Sequence, residues 1–269
     1  MNAKVRLIGV MAFSAVMALP VFAKDRILFF PAHPDDMISS LGTCLLMKDR
    51  YELHVCDFTY GERGLGEGGF RSGRTKAMRM KEEAAVCEAL GAQLHWYGAE
   101  DGNTWATEEQ VGRLVELLRT LRPRAIFGHW PMDVHSDHMM SAAVLQRAFK
   151  LAKIDCEYYF FEETYDSKGF RDDFYVNITS VAKEKERLIR LYACQNANDT
   201  MCQVEMQNSQ FRGKRMFIND IKTGHSGSMS GVYAEAFAAY GGRPQGPIVF
   251  AELGKRPELA SQGTEAERK

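Results

Sequence analysis

Short apolar runs alternate with helix-like patterns along the first half of the chain. The runs typical of strands lie at residues 27–30, 53–59, 94–97 and 124–128. Apolar residues at helical spacing follow these runs, at residues 37–48, 75–90, 107–121 and 139–152. Strands that alternate with helices favour an α/β fold built on a mostly parallel sheet.

The pattern changes after residue 152. Residues 157–162 and 174–179 are predicted to be strands, and residues 181–192 are predicted to be a helix. The segment from Gln203 onwards has no clear period, and its His225 is left without a role. The tail at residues 256–269 is polar and is expected to be disordered.

The amino terminus has the features of a secretory signal peptide. Lys4 and Arg6 precede an apolar stretch at residues 7–19, and Ala23 offers a small residue for cleavage. The stretch is short for a bilayer span, although an uncleaved anchor is the alternative. We therefore expect a secreted or periplasmic protein whose mature chain begins near Lys24, with one domain over residues 24–255.

Composition narrows the classes of partner. A net charge of -1 over 269 residues gives no reason to expect nucleic acid or an anionic membrane surface, and it leaves the oligomeric state open. Of six cysteines, Cys194 and Cys202 flank a polar loop, where a local disulfide is compatible with export.

Two of the predicted strands end in turns that carry histidine and aspartate. The first turn contains His33, Asp35 and Asp36, and the second contains four such residues: Asp133, His135, Asp137 and His138. Ligands of open α/β sheets bind outside the carboxyl ends of strands, so the turns meet if the two strands are parallel neighbours. Imidazole and carboxylate groups suit a catalytic zinc with one position open to water. Taken alone, the first turn is better explained by aspartates that cap the next helix.

Together the two turns resemble a known family. The motif Ala32-His33-Pro34-Asp35-Asp36, with His135-Ser136-Asp137-His138 later, is similar to the PIG-L/LmbE-like zinc-dependent N-deacetylases. Weaker agreement follows in order at residues 59–64, 79–82, 101–102 and 233–237. The resemblance covers about residues 26–241, and Met37 departs from it, since a glutamate is common there. It implies a three-layer Rossmann-like fold and removal of an acyl group from an amino sugar such as N-acetylglucosamine.

The resemblance also implies roles for the residues of the turns. His33, Asp36 and His138 are expected to bind one Zn²⁺ per chain, with another divalent metal such as Fe²⁺ as the alternative. Asp35 is expected to act as the general base. His135 would stabilise the oxyanion or protonate the leaving amine, and Asp137 would orient His135 and keep it charged.

Contacts to the substrate are expected from residues that match family positions near the sugar: Glu62, Arg79 and Asp101. For Arg79, a salt bridge to Glu82 or Glu83 on its own helix is the alternative. Three tryptophans could stack on sugar faces or serve as ordinary packing: Trp96, Trp105 and Trp130.

Two other functions compete with deacetylation. One is metal-dependent hydrolysis of another bond, such as a phosphoester, although two-metal phosphoesterases need more ligands than these turns provide. The other is glycan binding by a secreted protein that lacks catalysis. The presence of Asp35 together with every expected ligand argues against this alternative.

Overall fold

The protein is described here from a computed structural model. It describes residues 24–64, 73–163, 166–221 and 231–241. Several parts of the sequence analysis lie outside the described residues: the predicted signal peptide at 1–23, residues 65–72, His225 and the polar tail at 256–269.

Seven strands and six α-helices make up the described chain. The strands are β1 (Arg26–Phe30), β2 (Glu52–Thr59), β3 (Gln93–Ala99), β4 (Ala125–His129), β5 (Glu157–Phe161), β6 (Phe174–Asn177) and β7 (Ala234–Ala239). The helices are α1 (Leu41–Met47), α2 (Gly73–Leu90), α3 (Glu108–Leu121), α4 (Ser136–Ala152), α5 (Ala182–Ile189) and α6 (Thr200–Ile221).

All seven strands form one sheet, in the order β3-β2-β1-β4-β5-β7-β6. The first five strands in this order are parallel, and β7 is antiparallel to both β5 and β6. Strands β1 and β4 are parallel neighbours, with Ile27 opposite Ala125 and Phe30 opposite Gly128. The predicted pairing is confirmed, and it brings the two His/Asp turns to the same edge of the sheet.

Alternate side chains of the central strands pack into two hydrophobic cores, one on each face of the sheet. On one face, Phe29 stacks on Phe127 with ring centroids 4.6 Å apart, and helices α1, α2 and α5 cover them. On the other face, Phe30 packs against Phe58 beneath α3 and α4. Because strand side chains alternate between faces, the apolar strands are buried on both sides, which confirms the three-layer α/β fold.

The structure corrects several details of the sequence analysis. Helix α4 begins at Ser136, three residues before the predicted start, and α6 occupies the segment from Gln203 for which no element was predicted. Cys194 and Cys202 are both free, so the suggested disulfide is wrong. Within the described ranges, the helices include none with the length and apolar character that a membrane span requires.

Candidate active site

The turn after β1 is held by the carboxylate of Asp36. Its Oδ2 accepts hydrogen bonds from the backbone N–H groups of Ala32, at 3.0 Å, and His33, at 2.7 Å. The other oxygen, Oδ1, lies 3.5 Å from Nε2 of His138. Asp36 therefore closes the turn with one oxygen and presents the other to the facing turn.

Asp35 makes no side-chain cap bond to the short helix that follows, so the capping interpretation of this residue is wrong.

His138 lies in the first turn of α4, and a hydrogen bond to Asp133 orients its ring. Its Nδ1 lies 3.1 Å from Oδ1 of Asp133, which fixes the proton on Nδ1 and leaves Nε2 directed at Asp36. Asp133 is itself held by the N–H of His135 and the hydroxyl of Ser167. Burial alone would lower the pKa of His138, but the charge of Asp36 and the bond to Asp133 raise it to about 10.

The carboxylate of Asp137 contacts His33 rather than His135. Its Oδ2 lies 3.1 Å from Nε2 of His33 and accepts the N–H of Gly102 at 2.7 Å, while Oδ1 accepts the Thr104 hydroxyl at 2.6 Å. Toward His135, Asp137 offers only its backbone N–H, which donates to Nδ1 at 3.2 Å. The expected Asp137–His135 carboxylate pair is therefore wrong. Although burial opposes ionisation, the bonds to His33 and Thr104 hold the pKa of Asp137 below its ordinary value.

His135 stands between the two proposed histidine ligands at the cavity wall. Its ring lies edge-on to His33, with centroids 4.7 Å apart, and is stacked on His138 at 4.6 Å. Burial lowers the pKa of His135, and the charges of His33 and His138 lower it further. This arrangement favours a neutral imidazole at His135, in contrast to the charged form expected from the sequence.

Asp35 is held by Arg79 from α2. Its backbone has a φ of 98°, in the left-handed region that an aspartate seldom adopts. Nη2 of Arg79 lies 2.5 Å from Oδ1 of Asp35 and donates to the carbonyl of Pro34, while Nη1 donates to the carbonyl of Gly61 at 3.3 Å. Burial, assisted by the charge of Asp36, raises the pKa of Asp35 to about 6 against the opposing effect of Arg79. The ion pair of Arg79 is with Asp35 rather than with Glu82 or Glu83 on its own helix. The expected contact to the sugar stays a prediction, and Arg79 lies on the cavity wall.

A cavity of about 530 Å³ opens above these groups. The proposed residues on its wall are His33, Asp35, Asp36, Arg79, Asp101, His135 and His138. Asp101 places Oδ1 3.6 Å from Nε2 of His33. Glu62 is not on the wall, because its carboxylate accepts the backbone N–H of Asp101 at 3.1 Å and thereby holds the Asp101 loop.

The three tryptophans also lie off the cavity wall. Trp96 packs on Tyr60, with ring centroids 5.3 Å apart, and Trp130 packs edge-on to Phe160. Trp105 is 65% exposed. The packing alternative therefore describes Trp96 and Trp130.

Two residues of this region were missed in the sequence. His129, the last residue of β4, is fully buried and has a pKa of about 4, lowered by burial and by the charge of His138. Glu163 follows β5 and lines the cavity, and burial together with the charge of Asp36 raises its pKa well above the ordinary value. Both lie at carboxyl ends of parallel strands, so the rule that selected the two turns could have found them.

The donor atoms of the site fit a divalent metal such as zinc. Those of His33, His135 and His138 lie within 4.8 Å of one another, and so do those of Asp36, His129 and His138. The predicted ligands are linked pairwise through Asp36, whose oxygens lie 3.4 Å from Nδ1 of His33 and 3.5 Å from Nε2 of His138. Imidazole nitrogens with one carboxylate are the usual ligands of catalytic zinc.

Comparison with known proteins supports this interpretation. Residues 28–149 match the family "PIG-L: GlcNAc-PI de-N-acetylase". A 1D-myo-inositol 2-acetamido-2-deoxy-alpha-D-glucopyranoside deacetylase of Thermomonospora curvata is 30% identical over 47% of this chain and 53% of its own length, about half of that relative. A 4-oxalmesaconate hydratase of Pseudomonas putida is 25% identical over 61% of this chain and 71% of its own.

The fold is also that of a solved structure. The 4-carboxy-2-hydroxymuconate hydratase of Pseudomonas putida KT2440 superimposes with a TM-score of 0.71 at 23% identity, covering 83% of this chain and 99% of the hydratase. The matched family is named for deacetylation, whereas relatives of the chain are named for deacetylation and for hydration.

Proposed function

We propose, from the match of residues 28–149 to the PIG-L family, that the chain is an exported zinc-dependent hydrolase. Its reaction is the removal of an N-acetyl or related acyl group from an amino sugar or glycoconjugate. The observation that carries this proposal is the convergence of His33, Asp36 and His138 from two neighbouring strand ends beneath one cavity. Two neutral imidazoles and one carboxylate leave a divalent cation with net positive charge.

Zinc bound by these three residues would polarise the acyl carbonyl and lower the pKa of a water molecule. Asp35 is placed to take the proton of the attacking water, because it lines the cavity next to Asp36. A carboxyl whose pKa is about 6 is ionised at neutral pH and still basic enough to accept that proton. Arg79 holds this carboxylate in place through its bond to Oδ1.

His135 serves the other side of the reaction. Its neutral ring, on the wall between His33 and His138, can donate a hydrogen bond to the oxyanion through Nε2 while Nδ1 accepts the N–H of Asp137. Asp137 acts on His33, whose ring it orients through Nε2. Asp101 offers a carboxylate to substrate hydroxyls at the rim of the cavity.

The two adjacent aspartates test the proposal, because their asparagine variants should fail in different ways. Asp35→Asn should retain zinc and lose about two to four orders of magnitude in acetate release from N-acetylated amino sugars, since it lacks the proton acceptor. Asp36→Asn should lose zinc affinity, because a neutral amide is a poor ligand. Zinc content by elemental analysis and acetate release by a coupled assay give both quantities.

Added zinc separates the roles further. It should partly restore acetate release in Asp36→Asn and leave Asp35→Asn inactive. Rescue of Asp35→Asn alone would reverse the two assignments. A wild-type chain that binds no divalent metal at micromolar concentration would end the proposal, and elemental analysis also distinguishes Zn²⁺ from Fe²⁺.

Hydration of a double bond in a carboxylated substrate is the second candidate. The relative named 4-oxalmesaconate hydratase supports it, as does the guanidinium group of Arg63 on the cavity wall. Planar guanidinium groups bind carboxylates in a two-pronged geometry. The test is to incubate the enzyme with an unsaturated dicarboxylate and follow its conjugated absorbance. A fall in this absorbance, together with no acetate release from any N-acetylated sugar, would favour hydration.

The proposal that the protein is exported rests only on the sequence of residues 1–23. Amino-terminal sequencing of protein recovered from the periplasm or the medium should begin near Lys24. Recovery of the full-length chain in a membrane pellet would indicate that residues 1–23 remain attached as an anchor instead of being cleaved.

A further inference from the structure

His129 is a fully buried histidine that lies behind the proposed metal ligands rather than on the cavity wall. It ends β4, directly beside the end of β1, so the pairing of these strands carries it to the turn that contains Asp36. A buried polar ring needs hydrogen-bond partners, because their absence costs free energy. The partners of His129 therefore indicate its role.

The first partner is the carboxylate of Asp36. Nε2 of His129 lies 3.0 Å from Oδ2 of Asp36 and 2.9 Å from the backbone nitrogen of Ala32. The N–H of Ala32 has Oδ2 of Asp36 as an acceptor, at 3.0 Å. With the proton on Nε2, His129 and Ala32 both donate to Oδ2 of Asp36, and the 2.9 Å approach of Ala32 N to Nε2 is then a contact rather than a hydrogen bond; Nδ1 of His129 has no hydrogen-bond partner among the described residues.

This arrangement assigns different tasks to the two oxygens of Asp36. Oδ2 is approached by three donors, from Ala32, His33 and His129, and is therefore fully occupied. Oδ1 remains directed at Nε2 of His138, 3.5 Å away. Without the bond from His129, two backbone N–H groups alone would hold the carboxylate, and the direction of Oδ1 toward a cation would be less well defined.

The second partner is the ring of His138. The rings of His129 and His138 are nearly parallel, at 15°, with centroids 4.2 Å apart. Phe161 packs on His129 as well, with centroids 4.7 Å apart. His129 is thus fixed by its neighbours and in turn fixes the plane of His138, whose Nδ1 is already bound by Asp133.

We propose that His129 is a positioning residue of the metal site, which holds Asp36 by a hydrogen bond and His138 by ring stacking. The inference rests on the proposed function, because it requires a metal at His33, Asp36 and His138. It adds a residue that contacts two of the three proposed ligands. Although a ring nitrogen of His129 lies within 4.8 Å of donor atoms of Asp36 and His138, we assign it no bond to the ion, because its Nε2 is directed at Asp36 and it lies off the cavity wall. Partners of this kind typically change metal affinity by about 10-fold to 100-fold when they are removed.

Two variants separate the contributions of His129. His129→Gln keeps an N–H donor near the position of Nε2 and loses the ring, whereas His129→Phe keeps a flat ring and loses the donor. His54→Phe is the matched control, since His54 is a buried histidine on β2 whose ring bonds to His95 and Glu52 away from the ligands.

The measurement is the zinc dissociation constant of the purified full chain, by competition with a chromophoric chelator. The absorption spectrum of the cobalt(II)-substituted protein reports the ligand geometry independently of activity. His129→Phe should weaken zinc binding about 10-fold to 100-fold and shift the cobalt bands. His129→Gln should retain more of the affinity than His129→Phe, and His54→Phe should match the wild type. Thermal unfolding of each metal-free variant checks that the fold persists, and His129→Leu replaces the phenylalanine variant if that chain does not fold.

Wild-type zinc affinity in the folded phenylalanine or leucine variant would overturn the inference. Equal losses in His129→Phe and His54→Phe would also overturn it, because the effect would then be a general loosening of the sheet. Equal losses in the glutamine and phenylalanine variants would remove the hydrogen bond from the argument. Absence of zinc binding in the wild type would instead overturn the proposed function.

Discussion

Replacement of Asp137 by asparagine tests the contact that the structure reassigns. The carboxylate accepts three hydrogen bonds, from His33, Gly102 and Thr104. An asparagine has the same shape and can keep them if its oxygen accepts from Gly102 and His33 and its amide group donates to the Thr104 hydroxyl. What it cannot keep is the negative charge.

The magnitude follows from that difference. A hydrogen bond to a charged group contributes about 1.5–3 kcal/mol and a neutral one about 0.5–1.5 kcal/mol, so the bond to His33 should lose about 1–1.5 kcal/mol. Because His33 is a proposed ligand, Asp137→Asn should weaken zinc binding roughly tenfold, at the lower end of the range for such partners. Asp137→Ala leaves all three donors without their acceptor and should weaken binding by about 100-fold.

Chelator competition at pH 7.5 measures the zinc affinity, with His135→Ala as the comparison. If Asp137 orients His33, Asp137→Asn loses affinity and excess zinc restores part of its turnover, whereas His135→Ala keeps its zinc and loses turnover. The opposite result, with full zinc affinity in Asp137→Asn and a turnover defect equal to that of His135→Ala, would refute this reasoning. It would support the Asp137–His135 pair expected from the sequence.

Unfolding of the metal-free protein adds a pH dependence. The folded pKa of Asp137 lies below its unfolded value, so the carboxylate stabilises the fold at pH values above the unfolded pKa of about 3.9. That contribution is lost as the pH falls through the folded pKa. The stability difference between the wild type and Asp137→Asn should therefore shrink as the pH falls below about pH 4. A difference that grows as the pH falls below about 4 would contradict the assigned direction.

Two further predictions concern stability. Lys185 is fully buried between Glu205 and Glu235, with Nζ 2.7 and 2.8 Å from their carboxylates, so Lys185→Met should cost about 3–5 kcal/mol in urea unfolding by leaving buried charge unpaired. Arg187→Ala, in an exposed pair on the same helix, should leave the midpoint unchanged, and equal effects of the two variants would contradict the argument. Gly128→Ala should cost about 1–3 kcal/mol, because its Cβ would overlap the buried side chain of Leu145, and a wild-type unfolding midpoint would show that this side chain relaxes without cost.

Local patterns accounted for most of the parallel half of the sheet. The apolar runs predicted β1, β2, β3 and β4 to within a few residues, because a strand buried on both faces must be continuously apolar. Thr107, at the start of the predicted helix at 107–121, caps α3 by accepting the N–H of Gln110 with its side chain. The rule that ligands bind at strand ends then led to both His/Asp turns without knowledge of their distance in space.

Helix α6 escaped prediction for an equally physical reason. Its inward face carries polar groups such as Glu205, Ser209 and Arg212, which are buried in an ionic cluster with Lys185. A buried helix face with so many polar groups has no strong apolar period. The partners that make these groups tolerable lie on α5 and β7, far away in the sequence.

The sequence by itself determined which residue types stand at the ends of β1 and β4, and therefore the kind of chemistry that the protein can perform. Only the tertiary structure decided which group serves which. His33 and Asp137 are 104 positions apart, and Asp36 and His129 are 93 apart, yet both pairs are in hydrogen-bond contact. Local periodicity reports the backbone hydrogen bonds and the buried face of each element. The partner of a polar side chain depends on how separate elements pack, which is why Asp137, Arg79 and His129 required the structure.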